Sequence, residues 1–155
     1  MGQLFRARTM LPPLWAGALI TVAALATPAP FATLAAADAG RVVARVLSHE
    51  AYASLVVGVI VLLLERVVAG REAASGAGSQ FSTGMALALG AIFCTVLGYF
   101  AVQPLMPAAR AGQGPFTFVQ LHAASAACFA AKIGLVLALA WRVCAAPSAL
   151  KPVSS

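Results

Sequence analysis

The chain has 155 residues, 62% of them hydrophobic and 9% charged, against roughly 45–50% and 25% in soluble domains. Its formal charge of +6 is carried by residues that flank apolar runs, with no basic cluster interleaved with aromatics. This argues against a nucleic-acid partner and for a lipid bilayer. Cys94, Cys128 and Cys144 lie in or beside apolar runs without CxxC spacing, which argues against a disulfide framework or a zinc site in what is one domain.

Taken in order, the chain opens with a basic leader carrying Arg6 and Arg8. An apolar segment at about 14–34 follows, with Pro12 and Pro13 before its start and Pro28 and Pro30 near its far end. Proline suits the first turn of a helix and loosens a helix elsewhere. The alternative for this region is a secretory signal peptide cleaved after the small residues Ala35, Ala36 and Ala37. Asp38 is the expected N-cap of a second helix at about 38–69. Within that helix Glu50, Ser54, Gly58, Val61 and Glu65 fall on one stripe, about 60° wide on a helical wheel. A glycine- and serine-rich loop over 70–80 lacks the Lys-Ser/Thr that would make it a phosphate cradle.

The third segment, at about 81–102, carries Gly84, Ala88, Ala91, Thr95 and Gly98 at three- and four-residue steps. Such small-residue ridges let helices approach closely in lipid, so Gly84, Ala88, Ala91 and Gly98 are the expected surface for a homo-oligomer. Pro104 and Pro107 end it. The fourth segment, at about 116–142, is long enough to span a bilayer. On one face, within about 80°, it carries His122, Ser125, Phe129 and Lys132. A lysine deep in hydrocarbon must face protein or water, so this face should look inward. The tail over 146–155 is expected to be disordered.

The expected fold is therefore an all-α membrane protein, a four-transmembrane-helix antiparallel bundle within residues 1–145. Six basic residues (Arg6, Arg8, Arg66, Arg71, Arg142, Lys151) against three (Arg41, Arg45, Arg110) place both termini in the cytoplasm by the positive-inside rule. Abundant alanine, and arginine preferred over lysine, point to a GC-rich bacterial genome and so to a bacterial inner membrane.

Three local patterns carry a resemblance. They are Leu14-Trp15-Ala16-Gly17 with its Pro28-Ala29-Pro30-Phe31 exit, Ala39-Gly40-Arg41, and Phe118 with Leu121-His122 and Ser125. Together they resemble the transmembrane protein 205-like family, also called domain of unknown function 4149, and more distantly copper resistance D-like membrane domains. The resemblance implies a four-helix membrane protein without an established biochemical activity. The family usually places asparagine seven residues after the histidine, where this chain has Phe129. The polar contact of that asparagine is then absent or has passed to Lys132.

Two sets of polar residues are candidates for function. Near the outer surface, His49, Glu50, Met106 and His122 offer imidazole, carboxylate and thioether ligands that suit copper; the alternative is interfacial hydrogen bonding and space filling. Deeper, Glu65 and Lys132 lie within about 8 Å in depth, a gap that a lysine stem can reach across. They are expected to pair, as a relay for protons or ions or as a lock between helices, unless Glu65 turns to Arg66. Without Ser-x-x-Lys, GxSxG, HExxH or paired aspartates, no enzyme is expected. The functional expectation is a structural or interaction role without a cofactor. The alternative is small-solute or copper handling by the His/Met/Glu cluster.

Overall fold

The computed structural model describes residues 2–76 and 78–145, so the tail expectation lies outside the described residues. Four helical runs, Gly2–Ala32, Ala36–Ala74, Thr83–Arg110 and Phe118–Ala145, are long and apolar enough to cross a membrane. No strand occurs among the described residues. Helices suit such a chain because backbone groups in lipid must be satisfied within their own segment.

Helix α1 (Gly2–Thr21) begins in the basic leader, well before the expected start, and holds Pro12 and Pro13 in its interior. The missing proline N–H groups forgo bonds to the carbonyls of Arg8 and Thr9. The run continues through a π-helical turn (Val22–Ala26), where both the N–H and the hydroxyl of Thr27 bond to the Val22 carbonyl. A 3₁₀ turn (Ala29–Ala32) then leads to α2 (Ala36–Ala74). Ala35, not Asp38, occupies the N-cap position, and Asp38 lies inside the first turn paired with Arg41. There its charge still complements the helix dipole.

Helix α3 (Thr83–Thr95) is capped by the Ser82 hydroxyl, which accepts the Met85 N–H. It passes into a second π-helical segment (Val96–Val102), a 3₁₀ turn (Gln103–Leu105) and the short helix α4 (Met106–Arg110). Helix α5 (Phe118–Ala145) returns to the end where α1 began.

Helices α1 and α3 each pack against both α2 and α5, so the four long helices form an antiparallel square with α2 and α5 across a diagonal. The core joins Trp15, Ala16, Leu19, Ala91 and Val136, with Val61, Ala88 and Leu139 nearby. The buried face of α2 follows the stripe read from the sequence, including Ser54, Gly58, Val61 and Glu65. A Cβ on Gly58 would lie 2.8 Å from Ile92 Cγ1 and 3.2 Å from the Trp15 ring, so glycine lets three helices converge there.

The ridge on α3 lies where the sequence suggests, against other helices, but those helices belong to the same chain. Gly84, Ala88, Ala91 and Gly98 are buried in the bundle. A Cβ on Gly84 would overlap the Glu65 carboxylate, and one on Gly98 would lie 2.8 Å from Cys128 Cβ. A second copy could not dock on this ridge without opening the bundle, which corrects the expected oligomer surface.

Candidate functional site: a central cavity with an ion pair at its floor

At the end of the bundle away from the termini, the square does not close. A cavity of about 350 Å3 enters between all four long helical runs. Both π-helical regions border it, through Ala23 and Thr27 on one side and Gly98 and Tyr99 on the other. π turns insert an extra residue per turn and recur at functional sites.

One face of α5 descends into this space from its start: Phe118, His122, Ser125, Phe129, Lys132. Beside the cavity-lining His122, whose ring stacks on Phe118 at 5.7 Å, the Arg110 guanidinium lies 4.6 Å from the Phe118 ring centroid. Ser125 donates to the Gly98 carbonyl at 3.3 Å. At the floor the Lys132 ammonium donates to both oxygens of Glu50, at 2.7 and 2.9 Å, and sits 4.5 Å from the centroid of Phe129. The Lys132 side chain is 3% exposed and that of Glu50 9%.

The pair spans the diagonal from α5 to α2 and is held from behind. Trp15 Nε1 on α1 donates to Ser54 Oγ at 2.9 Å, and Ser54 in turn donates to Glu50. A charged pair at this depth needs such further hydrogen bonds to offset its desolvation. Below it the apolar core closes the bundle.

The expected Glu65–Lys132 pair does not form. Glu65, 3% exposed, is held by Arg8 from α1, through Nε to Oε1 at 2.6 Å and a second contact at 3.3 Å. The reason is axial register. Glu50 lies 50 − 36 = 14 residues into α2, and Lys132 lies 132 − 118 = 14 residues into α5. Both helices start at the same end, so both groups sit about 21 Å along their axes. Glu65 is 15 residues beyond Glu50, about 22 Å further toward the termini.

The proposed metal ligands are not assembled. Glu50 and His122 line the central cavity, His49 lines a separate apolar groove between α1 and α2, and Met106 is buried in α4 and lines neither. Among the described residues no three His, Cys, Asp or Glu side chains are placed to hold a metal ion. Glu50 borders both cavities, so this residue stands at the partition between them.

The pattern of the family described as domain of unknown function (DUF4149) matches residues 10–115. The chain belongs to the DUF4149 family. No characterised protein and no solved structure matches it. The matched region of this DUF4149 chain includes Trp15, Glu50, Ser54 and Glu65, while Lys132 and the rest of α5 lie beyond it. The cavity is thus built from both the matched region and the part after it. Sequence reading missed Arg8 and Trp15 as partners. For Trp15 the signal available was an indole N–H inside an apolar segment, which needs an acceptor when buried.

Proposed function

We propose that this DUF4149 chain is a non-enzymatic solute-handling protein of the bacterial inner membrane, and that the central cavity is where the solute enters. The observation that carries this reading is the Glu50–Lys132 pair, buried at mid-helix yet bordering an open cavity. Buried ion pairs are rarely worth more to stability than apolar residues of the same volume. Ionisable groups within a bilayer commonly mark the path of an ion or solute. The volume lies at the lower end of small-molecule sites, which run from about 300 to 1,000 Å3.

A second reading, a structural role in which the pair merely locks α2 to α5, is favoured by one observation. Among the described residues no buried side-chain nitrogen or oxygen lacks a hydrogen-bond partner. Water in the cavity separates the two readings. In a chain with Cys94, Cys128 and Cys144 replaced by alanine, Ser125→Cys should react with a membrane-impermeant maleimide. Under the N-in, C-in orientation set by flanking arginines, reaction occurs from the outer face only. Labelling from the inner face reverses the orientation. Silence from both faces, in protein that labels once denatured, leaves the structural role.

A further inference from the structure

The cavity floor sets the chemical class of its ligand. Resting on the solute-handling reading, we propose that the cavity binds a small organic anion at Lys132, and that a proton taken up by Glu50 accompanies it. In the structure the ammonium is committed to Glu50, so no ligand charge can be added while that carboxylate is ionised. Protonation of Glu50 cancels the pair and leaves a buried cation bordering an open cavity, a state that needs a new counter-ion. The exchange balances: one proton from water neutralises the Glu50 carboxylate, and one anion replaces it on Lys132. The net charge of the site does not change. Because each event favours the other, proton and anion bind with reciprocal coupling.

Charge placement selects an anion over a cation. The cavity's face of α5 carries His122 and Lys132, and Arg110 lies over Phe118, whose ring stacks on the cavity-lining His122. Glu50 is the one carboxylate among the described residues lining the cavity. Basic groups along an entry route raise the local concentration of anions. The ring of Phe129, with Leu47 and Ile133, offers apolar contact for the body of the ligand.

Ser54 makes both protonation states of Glu50 tolerable. Its hydroxyl now accepts from Trp15 and donates to the ionised carboxylate. Toward a protonated carboxyl it can accept instead, handing its own hydrogen to the Glu50 backbone carbonyl one turn back, a bond serine commonly makes in helices. Lys132 reaches Glu50 from α5, the Trp15–Ser54 relay backs it from α1, and His49 neighbours it on α2. Cys94 and Tyr99 face the same cavity from the α3 run, and His122 from α5. His49 and His122 are the other proton-accepting side chains nearby, so the test must separate them from Glu50.

Benzenesulfonate is the probe, because it stays anionic at every pH used and carries no proton of its own. Calorimetry on the full chain in detergent, between pH 8 and pH 5, should show affinity rising by up to about tenfold per pH unit, the limit for uptake of one proton. Heats in buffers of different ionisation enthalpy should report that proton. The Glu50→Gln variant should bind at all pH values without a slope. The Glu50→Gln/Lys132→Met double variant leaves neither charge stranded and should not bind. A slope that survives in Glu50→Gln assigns the coupling to a histidine and overturns the proposal. Binding by the double variant, or binding of tetramethylammonium in place of the anion, overturns it as well. If Ser125→Cys labels from the outer face but benzenesulfonate does not bind, the anion fails while the solute cavity stands. If Ser125→Cys does not label, the cavity reading itself fails.

Discussion

Replacing Lys132 with methionine should lower the stability of the bundle in detergent by about 3–5 kcal/mol, the usual consequence of stranding one member of a buried ion pair. Methionine fills much of the lysine stem's volume, so the loss is electrostatic and not a cavity effect. Glu50 would retain only the hydroxyl of Ser54, itself fixed by Trp15. The opposite change, Glu50→Gln, should be milder. The ammonium keeps the Phe129 ring at 4.5 Å and borders the open cavity, and a cation over an aromatic face is worth about 0.5–2 kcal/mol. Unfolding in a graded denaturing detergent measures both variants. Equal losses would mean that neither the ring nor the cavity supports the unpaired lysine.

The pair at the termini end should show the same kind of asymmetry, for a different reason. Glu65 is 3% exposed against 23% for Arg8, and Glu65 lies against Gly84 so closely that a Cβ there would overlap its carboxylate. Arg8→Leu therefore strands a buried carboxylate and should cost about 3–5 kcal/mol. Glu65→Leu frees an arginine whose long stem can carry its charge to the headgroups. The cost then falls toward the roughly 0–1 kcal/mol typical of exposed pairs. If thermal melting ranks Glu65→Leu as the more damaging variant, Arg8 depends on Glu65 and not the reverse.

These two pairs mark where sequence reading works and where it stops. Which face of α2, α3 and α5 turns inward was legible, because buried residues recur every three or four positions. The run Ser54, Gly58, Val61, Glu65 on α2 and the ridge Gly84, Ala88, Ala91 on α3 are both buried. The wedge on α5 also looks inward, although its first half borders a cavity instead of packing. Depth was not legible, because depth depends on where each helix starts. The amphipathic opening of α2, with Arg41 and Arg45 exposed, resembles a segment lying outside the membrane and so placed Glu50 at the surface. In the fold it is continuous helix whose Ala39 and Val43 are buried. That continuity carries Glu50 down to the level of Lys132 and Glu65 down to Arg8. Arg8 was hidden for the same reason. A leader read as a charged flank is the first turns of α1, with both prolines inside the helix.

Phe129, where the resemblance read from the sequence leads to an expected asparagine, lies beyond the region matched to the family. The fold shows its ring against the Lys132 ammonium one turn further down the same face, with Glu50 supplying the polar contact from α2. The four residues read as metal ligands are spread between the central cavity, the α1–α2 groove and α4. His49 and Glu50 are adjacent in sequence, yet successive residues point about 100° apart on a helix; both border the α1–α2 groove, and only Glu50 also reaches the central cavity.

The pairing of Lys132 is the point on which the cavity, its electrostatics and the anion proposal all depend. Two double-mutant cycles measured side by side test it, one coupling Lys132→Met with Glu50→Leu and the other coupling Lys132→Met with Glu65→Leu. Groups in direct contact couple by about 0.5–3 kcal/mol, whereas groups more than about 7–10 Å apart add within about 0.5 kcal/mol. The structure predicts coupling above about 1 kcal/mol for Glu50 and additivity for Glu65. Strong coupling to Glu65 with additivity for Glu50 would contradict the register of α2 against α5 and remove the ion pair from the cavity floor.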